Sequence, residues 1–219
     1  MEFRFNLYDF EIDFEKNLIN TIVIEDNVFF RKICNELVNN IDKSDLFILS
    51  KNKCEDLSMS SNSIVISDLL NININKEINK IYKKISSIAL EEKYDETLNI
   101  TNKIKKYIFD ILSNSNYSFT MSDTIALTDL FKSVTLKLEE EENLSYKILD
   151  YMKLLNDLTG INFFIFINLK TFFSNEEIKE IYKYCTYNKF NLILFENNIS
   201  EKIENEYKIV IDKDLCEIF

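Results

Sequence analysis

A single glycine, Gly160, with no proline and no histidine in 219 residues, limits both the folds this chain can use and the chemistry it can carry. A phosphate loop of the G-x-x-x-x-G-K-[ST] type needs glycines where backbone N–H groups close on the phosphates, and a G-x-G-x-x-G dinucleotide turn needs three. Neither is present. The lack of histidine also excludes Ser-His-Asp and Cys-His arrangements and His-containing zinc sites. Any catalysis would rest on carboxylates, lysines or thiols.

A content of 46% hydrophobic and 13% aromatic residues is ample for one large α/β domain, or for one domain carrying a substantial insertion. Cys34, Cys54, Cys185 and Cys216 lie far apart, form no C-x-x-C pair and read as small apolar residues. No N-terminal apolar stretch reads as a secretory signal, so a reduced, cytoplasmic protein is expected. The longest apolar run, 161–167 interrupted by Asn162, is far short of the roughly 20 residues that span a bilayer, so no membrane partner is expected.

The net charge of −11 opposes nonspecific attraction to nucleic acid, but its distribution is uneven. Residues 76–106 hold eight lysines against five acids, leaving 18 basic and 32 acidic residues elsewhere. One segment is locally positive on an acidic body.

Hydrophobic rhythm divides the chain. Phe3, Phe5 and Leu7 alternate with polar residues as in a half-buried strand; 21–24, 46–49 and 63–66 read as further strands, and a helical pattern covers about 27–41 with Asp26 as its N-cap. The rhythm returns near the C-terminus as strand 163–167, helix 175–187, strand 191–195 and strand 207–211. Apolar strands alternating with helices predict an α/β fold with a largely parallel sheet built from right-handed βαβ units. Between these halves the pattern is helical. Ile78, Ile81, Ile85 and Ile88 form one apolar stripe with Lys76, Lys80, Lys83 and Lys84 opposite. A second helix is predicted over about 97–112, with Ile100, Ile104, Ile108 and Ile111 inward and Lys103 and Lys106 on its flank. Helical patterns also cover about 123–132 and 144–158. The predicted organisation is an α/β head from 1–71 and 159–219 with a helical leg, 72–158, inserted in it.

The lysine face at 76, 80, 83 and 84 has two readings: a track for a phosphate backbone, or the solvated side of an amphipathic helix. The carboxylates after strands, Glu25, Asp26, Asp68, Glu196, Asp212 and Asp214, likewise read either as a magnesium-dependent nuclease or phosphatase site in the crevice of a parallel sheet, or as helix caps and surface acids. The run Glu139-Glu140-Glu141-Glu142 reads as a solvated charge block. Asp123 and Asp129, with hydroxyls at Ser122, Thr124 and Thr128, offer hard oxygens to calcium, although no EF-hand spacing accompanies them; Ser122 or Asp123 also reads as a helix N-cap.

Taken in order, Thr21-Ile-Val-Ile-Glu-Asp26 leading into a helix, Ile66-Ser-Asp-Leu-Leu70 before the helical segment, Phe131-Lys-Ser133 with Leu136-Lys-Leu-Glu139, Phe173-Ser-Asn-Glu-Glu-Ile178, Asn191-Leu-Ile-Leu-Phe-Glu196 and Tyr207-Lys-Ile-Val-Ile-Asp212 resemble the short form of the CRISPR-associated type II-A accessory adaptation protein. The resemblance covers most of the chain. It implies an α/β head of P-loop-nucleotidase-like architecture without the phosphate loop, as the missing glycines require. It further implies a homotetrameric ring whose lysine-lined hole takes double-stranded DNA from its ends, with calcium supporting the ring. The implied role is acquisition of new spacers beside the CRISPR integrase and the effector nuclease, with no catalysis of its own. On the residues, Lys132 and Lys137 match lysine positions of the family's leg, and Asp123 and Asp129 match acidic positions near its calcium sites. Met121 stands where the family often has another carboxylate.

A ring reconciles an acidic chain with a DNA ligand: copies of a locally positive leg facing inward concentrate positive potential, while acidic outer surfaces discourage binding elsewhere. Two other readings stay open at this point, a metal-dependent hydrolase using the strand-end carboxylates and an acidic scaffold that binds proteins without DNA.

Overall fold

A computed structural model describes residues 1–8, 10–51, 55–139 and 141–218. Strands β1 (Glu2–Phe5), β2 (Glu11–Asp13) and β3 (Ile19–Ile24) precede helix α1 (Asn27–Asn39), strands β4 (Phe47–Lys51) and β5 (Glu55–Leu57), the one-turn helix α2 (Met59–Asn62) and strand β6 (Ile64–Ile66). Helices α3 (Ile78–Glu92), α4 (Tyr94–Leu112), α5 (Leu127–Lys132) and α6 (Leu144–Thr159) follow. The chain finishes with β7 (Phe163–Ile167), α7 (Asn175–Tyr187), β8 (Asn191–Glu196), β9 (Glu206–Ile211) and β10 (Glu217–Ile218). It divides into two compact units, Met1–Ile72 with Glu141–Phe219, and Asn73–Glu140.

Among the described residues the first unit holds two sheets. The larger has the order β10-β9-β3-β8-β7-β6 and is parallel except for β10, which pairs antiparallel with β9. This is the largely parallel sheet of an α/β fold. In register, Ile22 of β3 lies opposite Phe195 of β8 and Ile209 of β9. Every residue of β3, β7 and β8 is buried, as expected of strands covered on both faces.

The strands predicted at Phe3–Leu7 and 46–49 do not join this sheet. They form β1 and β4 of a separate antiparallel sheet, β2-β1-β4-β5, and Leu7 lies beyond β1 with its side chain exposed. The physical reason is connection length: β1–β2 and β4–β5 are joined by short links that can only reverse direction, whereas parallel neighbours need a crossover. The small sheet contributes Phe3, Phe5, Ile12, Phe47 and Leu49 to a core completed by Ile22, Ile24, Ile193, Phe195 and Ile209 of the large sheet and by Ile33 and Leu37 of α1. Phe5 and Phe47 sit 5.5 Å apart between ring centroids, and Phe14 and Phe163 sit 4.9 Å apart. Each such buried side chain contributes about 1.5–3 kcal/mol, so this apolar layer dominates the unit's stability.

Local signals place the helices. Asp26 Oδ1 accepts the N–H of Phe29 at 2.7 Å and starts α1, which buries Phe30, Ile33 and Leu37 at helical spacing. Ser174 and Glu177 form a capping box at α7. The only glycine, Gly160, has φ of 76° and ends α6, its N–H donating to Asn156 O at 2.7 Å, a conformation most side chains resist.

The helical pattern over 144–158, grouped with the leg on sequence grounds, falls in the α/β unit as α6. It packs against α7 and buries Ile148, Leu149, Met152 and Leu155, too wide an apolar face to leave in water. The boundary of the second unit is therefore 73–140 rather than 72–158.

Candidate nucleic-acid interface

The second unit is built on α3. Its Tyr82 is buried, while Ile78, Ile81 and Ile85 of the predicted stripe are half-buried and Ile88 is exposed. Helices α4 and α5 both contact α3, and the segment after α5 returns along it. The hydroxyl of Tyr82 accepts the N–H of Leu136 at 3.1 Å, and Asn75 Oδ1 accepts the N–H of Leu138 at 3.1 Å. Those two bonds turn residues 136–138 into a strap beside the start of α3.

The strap brings sequence-distant lysines into one neighbourhood. Lys137 lies between the two pinned residues, while Lys76 and Lys83 adjoin their partners Asn75 and Tyr82. Lys76 belongs to a 3-10 turn, Ile74–Glu77, rather than to the helix itself. Lys80 pairs with Glu77 at 2.7 Å, and Lys83 and Lys84 are exposed on the same helix. Lys103 and Lys106, one helical turn apart on α4, are exposed. Lys132 ends α5 and lies 3.4 Å from Asp129, so a lysine matched to the leg and an acid matched to the metal face each other. That pair is largely solvated and contributes little to stability.

Helix α4 departs from expectation. None of its residues is buried, and the isoleucines predicted to point inward are half-buried at Ile104 and exposed at Ile100, Ile108 and Ile111. Ile100, Tyr107, Ile108 and Ile111 share one face at helical spacing, and Tyr107 is 68% and Ile111 53% exposed. Lys103 borders that face beside Tyr107, whereas Lys106 lies further round the helix. The isoleucine pattern was correctly helical but carried no information about what covers it.

The helix predicted over 123–132 begins at Leu127, with Ala126 at its cap and no side-chain capping bond. Ser122 Oγ instead accepts the N–H of Thr124 at 3.3 Å in the preceding turn, and Lys105 Nζ donates to the backbone carbonyl of Asp123, tying this turn to α4. A cavity of about 170 Å³ lies there, with Tyr94, Leu98, Lys105, Asp123, Ile125 and Leu127 among its walls. The side chains of Asp123 and Asp129 are both exposed. Among the described residues no group of three or more Cys, Asp or Glu side chains converges in a way that would hold a metal, so these carboxylates would need carbonyls, hydroxyls and water as co-ligands. Glu140 of the acidic run and Cys54 lie outside the described residues.

Four of the six strand-end carboxylates of the α/β unit, Asp26, Asp68, Glu196 and Asp212, are engaged by local hydrogen bonds. Asp26 caps α1; Asp68 accepts from Asn71 N at 3.1 Å and Nδ2 at 2.7 Å; Asp212 Oδ1 accepts from Asp214 N at 2.9 Å and Cys216 N at 2.8 Å. Glu196 is 2% exposed and accepts Lys170 N–H at 2.9 Å. Burial pushes its carboxyl up to about 7, outweighing the stabilisation of the charged form by the Lys170 amide and ammonium. Lys170 Nζ reaches both oxygens of Glu206, at 2.6 and 2.8 Å, in a buried ion pair.

Where an α/β sheet commonly binds its ligand, beyond the C-terminal strand ends, asparagines close the gap. Asn197 Nδ2 donates to Ile24 O at 2.8 Å, Asn168 Oδ1 accepts Asn197 N–H at 3.2 Å, and Asn168 N–H donates to Phe195 O at 2.8 Å. The α1 N-terminus, the place of a bound phosphate in phosphate-loop proteins, holds the Asp26 carboxylate instead. Burial pushes the thiols of Cys34 and Cys185 up to about 11 and about 12, away from the reactive thiolate.

Sequence reasoning missed Tyr82, Asn75 and Lys105. Tyr82 was legible, since it falls four residues after Ile78 on the same stripe. The others act through long-range bonds to backbone groups, which leave no spacing signal. No described helix is long and apolar enough to cross a membrane. Residues 38–215 match the family model of the CRISPR-associated protein (Cas_Csn2), a span that includes all of the helical unit and most of the large sheet.

Proposed function

This chain belongs to the family of the CRISPR-associated protein (Cas_Csn2), and from that membership we propose that it is a non-catalytic homotetrameric ring that binds double-stranded DNA ends during spacer acquisition. The observation that carries the reading is helix α4. Its face of Ile100, Tyr107, Ile108 and Ile111 is left to solvent in a single chain, and an apolar surface of that kind seeks a partner. Self-association through it buries that face and gathers Lys103 of several copies beside one seam, with Lys106 further round the same helix. Lys76, Lys80, Lys83, Lys84, Lys132 and Lys137 extend the positive surface. Contacts of this kind reach phosphates and give sequence-independent, salt-sensitive binding.

Calcium fits the same reading as a structural ion at Asp123 and Asp129, where it would neutralise exposed carboxylates on a lysine-bearing unit. The CRISPR integrase and effector nuclease are the proposed partners in the cytoplasm. The local bonding of Asp26, Asp68, Glu196 and Asp212 weighs against a hydrolase that uses them.

The test is solution mass and duplex binding at one salt concentration. A tetramer that retards linear duplex and leaves relaxed, covalently closed circles of the same sequence unbound supports end-threading. Equal affinity for both forms, or a monomer with no affinity for either, overturns it. Cleavage of the duplex with added magnesium would favour the hydrolase instead.

A further inference from the structure

A cavity of about 490 Å³ lies in the α/β unit and takes no part in the proposed DNA contacts. It falls within the range of about 300–1,000 Å³ typical of small-ligand pockets. One wall is α7, which presents Lys179, Tyr182, Lys183 and Tyr187; the other is the turn before β9, with Glu204 and Asn205.

This pocket is built before any ligand arrives. Asn205 has φ of 65°, and the turn is held from inside by Glu206, whose carboxylate accepts the N–H of Ile203 at 3.0 Å as well as both bonds from Lys170. Tyr182 is buried and lies beside the side chain of Thr21, so the floor of the pocket is held in place. At the rim Tyr187 is 87% exposed, leaving an aromatic face open. Lys179 and Lys183 are one helical turn apart, where like charges disfavour the helix and a bound anion relieves them.

We infer that this pocket binds a nucleoside monophosphate, with its phosphate between Lys179 and Lys183 and its base against Tyr187. Two ammonium groups meet a phosphate, and an open tyrosine ring offers the stacking surface that bases of any identity accept. Glu204 supplies a carboxylate acceptor for vicinal ribose hydroxyls, so ribonucleotides bind more tightly than deoxyribonucleotides.

The experiment is calorimetric titration of the full chain with AMP, dAMP and inorganic phosphate. Saturable AMP binding is expected, weaker binding of dAMP, and weaker still of phosphate. Lys179→Glu/Lys183→Glu should lower AMP affinity by at least about tenfold, and Glu204→Ala, which deletes the acceptor, should remove the preference for AMP over dAMP. Unchanged melting of the exposed-lysine variant and unchanged duplex retardation separate this result from misfolding and from the DNA reading. No saturable AMP binding at millimolar concentration, equal binding of phosphate and AMP, full affinity in the double lysine variant, or loss of duplex and AMP binding together would each overturn the proposal.

Discussion

Tyr82, buried in helix α3, accepts through its hydroxyl the N–H of Leu136, 54 positions later in the chain, at 3.1 Å. This bond and its neighbour from Leu138 to Asn75 hold the strap carrying Lys137 beside the lysines of α3. The tyrosine therefore links folding of the helical unit to the shape of its positive surface.

Tyr82→Phe keeps the ring in place and removes the acceptor for the Leu136 amide. We expect a loss of about 1 kcal/mol, read from the denaturant midpoint at unchanged slope. Loosening the strap should also weaken duplex binding modestly. An unchanged midpoint would show that water replaces the hydroxyl at no cost.

Replacing Lys103, Lys106 and Lys132 together by glutamate should weaken binding to every duplex sequence alike and leave the fold intact, because all three are exposed. The slope of log affinity against log salt should fall by about 0.9 for each phosphate that is no longer neutralised. If the slope stays at its wild-type value, these lysines are merely solvated.

The apolar face of α4 gives a separate prediction. Ile100→Asp/Ile111→Asp places charge where both side chains are already exposed, so the isolated chain should keep its fold and helix content. Sedimentation should show the assembly falling to smaller species. An unaltered mass would place the interface elsewhere.

Glu196 predicts a pH dependence. Its carboxyl titrates at about 7 when folded and near 4.5 when free, so the folded state holds this proton more tightly. The stabilisation is complete below pH 4.5 and is lost as pH rises through about 7, a difference of roughly 3 kcal/mol. Glu196→Gln keeps an acceptor for the Lys170 amide, so it should flatten the profile between pH 4.5 and 7 and exceed the wild type in stability at pH 8. Parallel profiles for the two proteins would contradict this assignment.

Calcium should raise the melting temperature of the assembly, since an ion bound only by the assembled form stabilises it by mass action. The response should vanish in Asp123→Ala/Asp129→Ala and on adding chelator. A full calcium response in the double variant would move the ion to other ligands.

Read alone, the sequence determined those parts of the protein that depend on near neighbours. Asp26 before an apolar helical pattern capped α1, the pattern over 175–187 became α7 without change, and the runs at 163–167 and 191–195 became central strands. One glycine ruled out a phosphate loop, and the structure places it at a helix end where a positive φ is needed. The lysine-rich segment was legible as well, because charge spacing on a helix is local. Tertiary structure decided what each apolar face meets. The pattern at 46–49 is equally compatible with either sheet, and short links drew it into the antiparallel one. The helix at 144–159 joined the α/β unit because α7 offered its wide face a partner, whereas Ile100, Ile108 and Ile111 of α4 are left exposed. Periodicity says that a side chain seeks cover, but the cover comes from residues far away in the chain, and their arrival depends on a topology that no local pattern encodes.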